Sequence, residues 1–418
     1  MTAIDYLDSP AAREALRRRT LRVVMASQVF SGAGLAAGVT VGTLLAADML
    51  GTSSLSGLPV ALFTAGSAGT ALLIGRLSQR LGRRAGLTAG YAAGALGGAG
   101  VVLAAAVDSV VLLLLFLLVY GAGTATNLQA RYAGADLAGP RRRGRAVSSV
   151  LVATTLGAVT GPNLVAATGD VARDLGIPAL AGPFGLAAVA YGLAGTILFT
   201  LLRPDPLQAS RRIAAAEPSG PAATGRQRTG AGKPSTGGVL AGTTTMVLTQ
   251  LVMVAVMAMT PIHMRTHGHD LHATGLVIAI HIGGMYLPSP LTGLLVDRFG
   301  RIPVAAASGL TLLVAGVVAA SAPTDSVTAL ALALALLGLG WNLGLVSGTA
   351  MVTDALPVQT RARTQGVVDL CVALAGAGGG IASGMILSAT SYATLALGGG
   401  ILALAVIPLI ARRRPAGA

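Results

Sequence analysis

The chain has 418 residues, of which 53% are hydrophobic, 11% charged and 3% aromatic, with a net charge of +14 and a mean hydropathy of +0.75. A soluble chain of this length lacks the polar side chains to cover so much apolar surface, which excludes a soluble globular protein and leaves the bilayer as its solvent. The apolar runs are far longer than the ~10 residues of a barrel strand, so the spanning elements are helices, whose backbone groups bond internally.

The N-terminus, "MTAIDYLDSPAAREALRRRTLRVV", carries acids before its basic cluster and no cleavage site after a short apolar core. It reads as a cytoplasmic tail over 1–22 rather than a signal peptide. Apolar runs of about 20 residues follow near 23–47, 58–77, 85–107, 109–130, 146–168 and 183–202. After them, 203–238 is rich in Pro, Gly, Ser and Arg and reads as a polar cytoplasmic linker. Six more runs lie near 239–262, 273–294, 303–322, 326–350, 365–388 and 391–411, before a tail at 412–418. The expected fold is an all-α membrane protein of twelve transmembrane helices in two six-helix bundles, 23–202 and 239–411. With both termini inside, 27 of the 29 basic residues fall on the cytoplasmic side and only Arg173 and Arg265 fall outside. The charge is therefore a topology signal facing anionic lipid and gives no reason to expect a nucleic-acid partner. The excess of Ala, Gly and Arg points to a high-GC bacterium, so the expected location is a bacterial cytoplasmic membrane. One cysteine, Cys371, excludes an internal disulfide.

The two halves repeat. "GRLSQRLGR" from Gly75 and "GLLVDRFGR" from Gly293 both fit G-x-L-x-x-R-x-G-R, at an offset of 218 residues. Gly75, Arg80, Gly82 and Arg83 thus match Gly293, Arg298, Gly300 and Arg301. The same offset aligns Asp136, Arg143 and Arg145 with Asp354, Arg361 and Arg363. Paired six-span halves are a transporter architecture, with the substrate path at their interface. These residues resemble the major facilitator superfamily over essentially the whole chain. The family's loop Asp is kept as Asp297 but replaced by Gln79 in the first half, which predicts a weaker first-half latch. "GAVTGP" (157–162) is similar to a glycine-proline motif of antiporters in that family.

Four of the five histidines, His263, His267, His269 and His272, fall within ten residues, and His281 follows. Six of the eleven methionines lie between 246 and 285: Met246, Met253, Met257, Met259, Met264 and Met285. The topology makes 263–272 the outward loop between spans seven and eight. Met253 and Met257 share a face of span seven, and His281 and Met285 share one on span eight. Counted from the outer ends, Met253 and His281 both lie ~12–14 Å deep, where secondary transporters hold substrate. Thioether sulfur is a soft ligand suited to Cu(I), and imidazole suits copper, zinc and nickel. Against this, methionine on a membrane helix is commonly an apolar filler. An imidazole at midplane depth is costly unless it is paired or functional.

"MVAVM" followed by "HIGGM" is similar to the MxxxM and HxxxM pair of the CcoA-like copper importers. That resemblance implies copper import as Cu(I) by alternating access, with Met253, Met257, His281 and Met285 as ligands, and a cytosolic copper chaperone as a possible receiver. Copper would be the substrate, and no cofactor is expected. Some members of that group carry several cysteines where this chain has one, and its neighbours include riboflavin importers. The loop histidines with Met264 read either as an outer metal-capture site or as a solvated loop or pH-sensitive gate. Asp369, Asn127, Gln129, Gln28 and Asn163 are candidates for coupling or lining, and Arg131 is expected to anchor an interface or pair with Asp136. No nucleophile-base arrangement, phosphate loop or nucleotide signature suggests an enzyme. The alternatives are a proton-coupled drug or metabolite exporter and a riboflavin-like importer of the same fold.

Overall fold

A computed structural model of the protein describes residues 5–50, 58–216 and 235–411, which are helical with short connections and include no strand. Twelve main helices run in chain order: α1 (Pro10–Leu50), α2 (Leu58–Leu81), α3 (Arg83–Ala106), α4 (Val110–Ala135), α5 (Arg143–Asn163), α6 (Gly182–Leu201), α7 (Thr236–Thr266), α8 (Leu271–Tyr286, resuming at Ser289–Phe299), α9 (Arg301–Ser321), α10 (Val327–Ala355), α11 (Arg361–Ala389) and α12 (Tyr392–Ala403, resuming at Val406–Ala411). Among the described residues, nine helical stretches are long and apolar enough to cross a membrane. The 41-, 24- and 21-residue helices α1, α2 and α5 occupy the other three expected spans.

Local chemistry sets the helix ends. Ser109, Ser235, Asp270 and Ser391 each accept a backbone N–H in the first turn of α4, α7, α8 and α12. Pro288 interrupts α8, since proline lacks the N–H that would continue the ladder. Gly82 and Gly300, the paired glycines of the repeated motif, precede α3 and α9 at φ +99° and +94°, a conformation that side-chained residues avoid.

Two segments outside the expected spans are helical. The helix of span one begins at Pro10, so the basic N-terminal stretch extends α1, with Glu14 bound by Arg17 and Arg18 at 2.8 and 2.9 Å. The linker is also not wholly irregular. Pro206–Ala216 is helical, because Leu207 and Ala209 make an apolar face that is buried. The rest of the linker, 217–234, lies outside the described residues, as does the 412–418 tail.

Contacts divide the chain into two compact units. The first takes residues 1–138, 149–234 and 356–370, and so includes the first turns of α11. Its core is built around Leu87, Tyr91, Leu113, Tyr120, Phe184 and Tyr191. The second takes residues 139–148, 235–355 and 371–418, and so includes the start of α5. There α10 is the most buried helix, packed by α7, α8 and α9. Large apolar side chains such as Leu73, Val111, Leu156 and Ile381 are 63–76% exposed, as on helices whose outer face meets lipid.

Candidate transport site

The repeated motif builds the same contacts twice. In the first unit, Gln79 Oε1 accepts the backbone N–H of Ala362 (2.9 Å) and Arg363 (3.2 Å) at the start of α11. In the second, Asp297 accepts those of Gly144 (2.9 Å) and Arg145 (3.0 Å) at the start of α5. These are the same positions shifted by 218. Each side chain caps a helix N-terminus, where free N–H groups point outward. Gln79 therefore caps α11 as Asp297 caps α5, but through one oxygen and without a charge, and donates its amide to Gln359 O. Arg83 pairs with Asp136 (2.8 Å) as Arg301 pairs with Asp354 (2.8 Å). Asp354 also pairs with Arg143, and Asp136 meets Arg361 at 3.9 Å. A Cβ on Gly75 would stand 2.8 Å from Gly366 Cα, and one on Gly293 would stand 2.5 Å from Ser148 Oγ. Both glycines are there so that helices touch. Arg80 and Arg298 are exposed at matching positions.

The candidates for coupling or lining fall into separate networks of the first unit. Asp136 is taken by Arg83, so the expected pairing with Arg131 is replaced. Arg131 instead donates to Asp369 Oδ1 at 2.6 Å, and both are buried. The reason lies in the helix period: five residues on, Asp136 points about 140° away from Arg131. Tyr132 donates to the same Asp369 oxygen at 3.1 Å, while Asp369 Oδ2 is buried with no hydrogen-bond partner among the described residues. Gln28 donates to Asn127 O and Thr154 Oγ1, both at 3.1 Å, and accepts from Tyr91 at 2.5 Å. Asn127 donates to Ser31 at 2.7 Å. Gln129 turns instead to Ala71 O on α2. Asn163 lies where side chains are outside the described residues.

In the second unit, His281 is fully buried at the contact of α8 with α10. A Cβ on Gly338 would stand 2.5 Å from His281 O, so glycine is what lets α8 lie so close. Nδ1 of His281 is 2.9 Å from Leu334 O. A carbonyl only accepts, so Nδ1 carries the proton and the neutral ring keeps its lone pair on Nε2. That nitrogen is buried with no hydrogen-bond partner among the described residues.

Trp341 on α10 contacts both α7 and α8. Its Nε1 donates to Gln250 Oε1 at 2.7 Å, and its ring meets Tyr286 edge-on at 5.8 Å. Along α7, Met253 and Met257 lie three and seven residues from Gln250, and along α8, Met285 and His281 lie one and five residues from Tyr286, all toward the α7–α8 turn. Met253 is 4% exposed, and Met257 and Met285 are half-buried. Met246 has another role, since its sulfur accepts from Thr349 at 3.6 Å. Sequence reading passed over Gln250, Trp341 and Asn342, although Trp341 is the chain's one tryptophan. Asn342 ties α10 to Met285 O and Ser289, both at 2.7 Å.

The stretch expected to be a loop is largely helical. α7 continues to Thr266 and α8 starts at Leu271, leaving only 267–270 between them. Met264 is fully buried and cannot meet solvent first. His263 stacks on Tyr392 (4.3 Å, 12°) and contacts His267 (4.4 Å). His269 Nε2 binds Thr324 O at 2.8 Å, and His272 is exposed.

Comparison with known proteins agrees with this architecture. The family model described as Major Facilitator Superfamily matches residues 24–270 and 241–418. The chain is 58% identical over 406 residues to the uncharacterized MFS-type transporter YdeG of Bacillus subtilis (strain 168), covering 97% of this chain and 94% of that one. It is 32% identical over 404 residues to the riboflavin transporter RfnT of Brucella anthropi, covering 96% and 97%. The fold is similar to that of the proton:xylose symporter XylE, with a TM-score of 0.73 at 16% identity and 96% of each chain covered. The paired loop motifs, the twelve helices and these matches lead to one conclusion: the chain belongs to the major facilitator superfamily of membrane transporters.

Proposed function

We propose that this transporter imports copper, as Cu(I), across a bacterial cytoplasmic membrane by alternating access, with both termini in the cytoplasm. The observation that carries the reading is the buried Nε2 of His281, a lone pair with no hydrogen-bond partner among the described residues, on a ring oriented by the Leu334 carbonyl. Leaving a buried polar atom unpaired costs about 1–3 kcal/mol. An imidazole whose second nitrogen binds a carbonyl is the usual form of a metal ligand. Met253 and Met257 would supply neutral sulfur from α7, and Met285, one turn past His281 toward the cytoplasmic end of α8, would pass the ion on. Neutral thioethers suit Cu(I). Lacking thiolates, the site would release the ion to a cytosolic chaperone rather than trap it.

A second reading is riboflavin import, favoured by the 32% identity to RfnT. Flavin recognition calls for stacking rings. Tyr91, Tyr120, Tyr191 and Phe184 do cluster, yet all four are fully buried against one another and their neighbours. One experiment separates the readings. Express the chain, with His281→Ala and Met257→Leu, in one host lacking its copper importer and in a second auxotrophic for riboflavin. Copper accumulation that falls in both variants, without rescue of the auxotroph, supports copper. Rescue of the auxotroph that both variants retain, with no copper accumulation, overturns it.

A further inference from the structure

We propose that His263 and His267 form a second metal site, a bis-imidazole chelate for a divalent transition ion such as Cu²⁺ or Zn²⁺, at the outer end of α7. It is distinct from the His281 site in place and in ligand chemistry, and it does not depend on the copper-import reading.

The two histidines are four apart on the last turns of α7, so their side chains leave the same face one turn apart. Their rings already lie 4.4 Å apart. Two imidazoles bound to one ion at about 2.1 Å through nitrogen need ring centres separated by roughly 4.5–5 Å, so a small opening of the pair admits the ion. The tautomer is also set. His267 Nδ1 lies 2.8 Å from His263 O, a carbonyl that only accepts, which leaves Nε2 of His267 with the lone pair. His263 is braced by its stack on Tyr392, whose hydroxyl is 2.9 Å from Thr260 Oγ1. One ligand is thus held in place and the other is exposed to solvent.

The other members of the stretch have different tasks. Met264 packs inward, His269 holds Thr324 O and Asp270 caps α8. Among the described residues no group of three or more His, Cys, Asp or Glu is placed to hold an ion, so water would complete the coordination. An exchangeable site of that kind, with imidazole ligands, suits Cu²⁺, Zn²⁺ or Ni²⁺.

The test uses tag-free, full-length protein in lipid nanodiscs, titrated with Cu²⁺ and followed by electron paramagnetic resonance, with Zn²⁺ as competitor. The variants are His263→Ala, His263→Phe (which keeps the stack on Tyr392), His267→Ala, His272→Ala and His281→Ala. The expected result is one nitrogen-ligated Cu²⁺ per chain, displaced by Zn²⁺. Affinity should fall at least tenfold in each of the three variants at 263 and 267 and stay within twofold at 272. Absence of nitrogen-ligated Cu²⁺ overturns the proposal, as does binding that survives at 263 or 267 or falls equally at 272. Loss in His281→Ala alone also overturns it, while leaving the transport site standing.

Discussion

Replacing Asp369 by Asn leaves the Arg131 guanidinium charged and buried without its carboxylate. Both residues are at most 2% exposed, and their charged atoms are 2.6 Å apart. Tyr132 contributes a hydroxyl at 3.0 Å to Arg131 and a ring 4.3 Å beneath its guanidinium carbon. Those contacts survive the substitution, as does the Arg131 bond to Leu128 O, but none of them neutralises the charge. Breaking one side of a buried pair costs about 3–5 kcal/mol, whereas replacing both sides with apolar groups of similar volume is near neutral or stabilising. Asp369→Asn should therefore lower unfolding free energy by about 3–5 kcal/mol, roughly two to three and a half decades in the folding constant. Arg131→Met with Asp369→Leu should recover most of it. The assay is reversible unfolding in mixed micelles titrated with sodium dodecyl sulfate, on the single and double variants. Asp369→Asn within 1 kcal/mol of the parent, or a double variant as unstable as the single, would refute the reasoning.

Gly75→Val drives side-chain carbons into Gly366, where even a Cβ would stand 2.8 Å from the Cα. Thermal unfolding in detergent should show a loss of about 1–3 kcal/mol. Asp297→Asn removes a charge facing the first N–H groups of α5 and should cost about 1 kcal/mol by the same measurement, bringing the second half to the neutral state that Gln79 gives the first. Tyr91→Phe deletes one of two donors to the buried Gln28 oxygen, leaving Ser31 at 3.2 Å, and should cost about 0.5–1.5 kcal/mol. Hydrogen bonds from Arg17 and then Arg18 hold the Glu14 carboxyl at about 2. A lowered folded value stabilises the fold above the unfolded carboxyl value of about 4.3, and that stabilisation is lost as pH falls toward 2. Because the pair is on the surface, Glu14→Gln should cost less than about 1 kcal/mol at pH 7, and the cost should shrink as pH falls toward 2.

The sequence made the repeated framework legible because the 218-residue offset carries chemistry as well as spacing. Gln79 with Ala362 and Arg363 mirrors Asp297 with Gly144 and Arg145, though Gln79 accepts both N–H groups on one oxygen and Asp297 on two. The twelve spans were legible because membrane helices must be apolar along their whole length. The partner of Arg131 was not, since Asp369 comes from a helix 238 residues later and has no counterpart under the repeat, where position 151 is Leu. The inward turn of Met264 was hidden for a different reason. The topology put 263–272 in the loop between spans seven and eight, yet α7 runs on to Thr266. The His281 tautomer depends on the Leu334 carbonyl, a backbone atom that no side-chain pattern reveals.

The central claim is that the α7–α8 site carries Cu(I). Its most direct test is purified protein in proteoliposomes loaded with a Cu(I)-responsive dye, given Cu(I) outside under reductant, with His281→Ala beside the parent. The account predicts saturable copper entry by the parent and at least a tenfold lower rate in His281→Ala at equal incorporation. Entry no faster than in empty liposomes, or an equal rate in the variant, would contradict it.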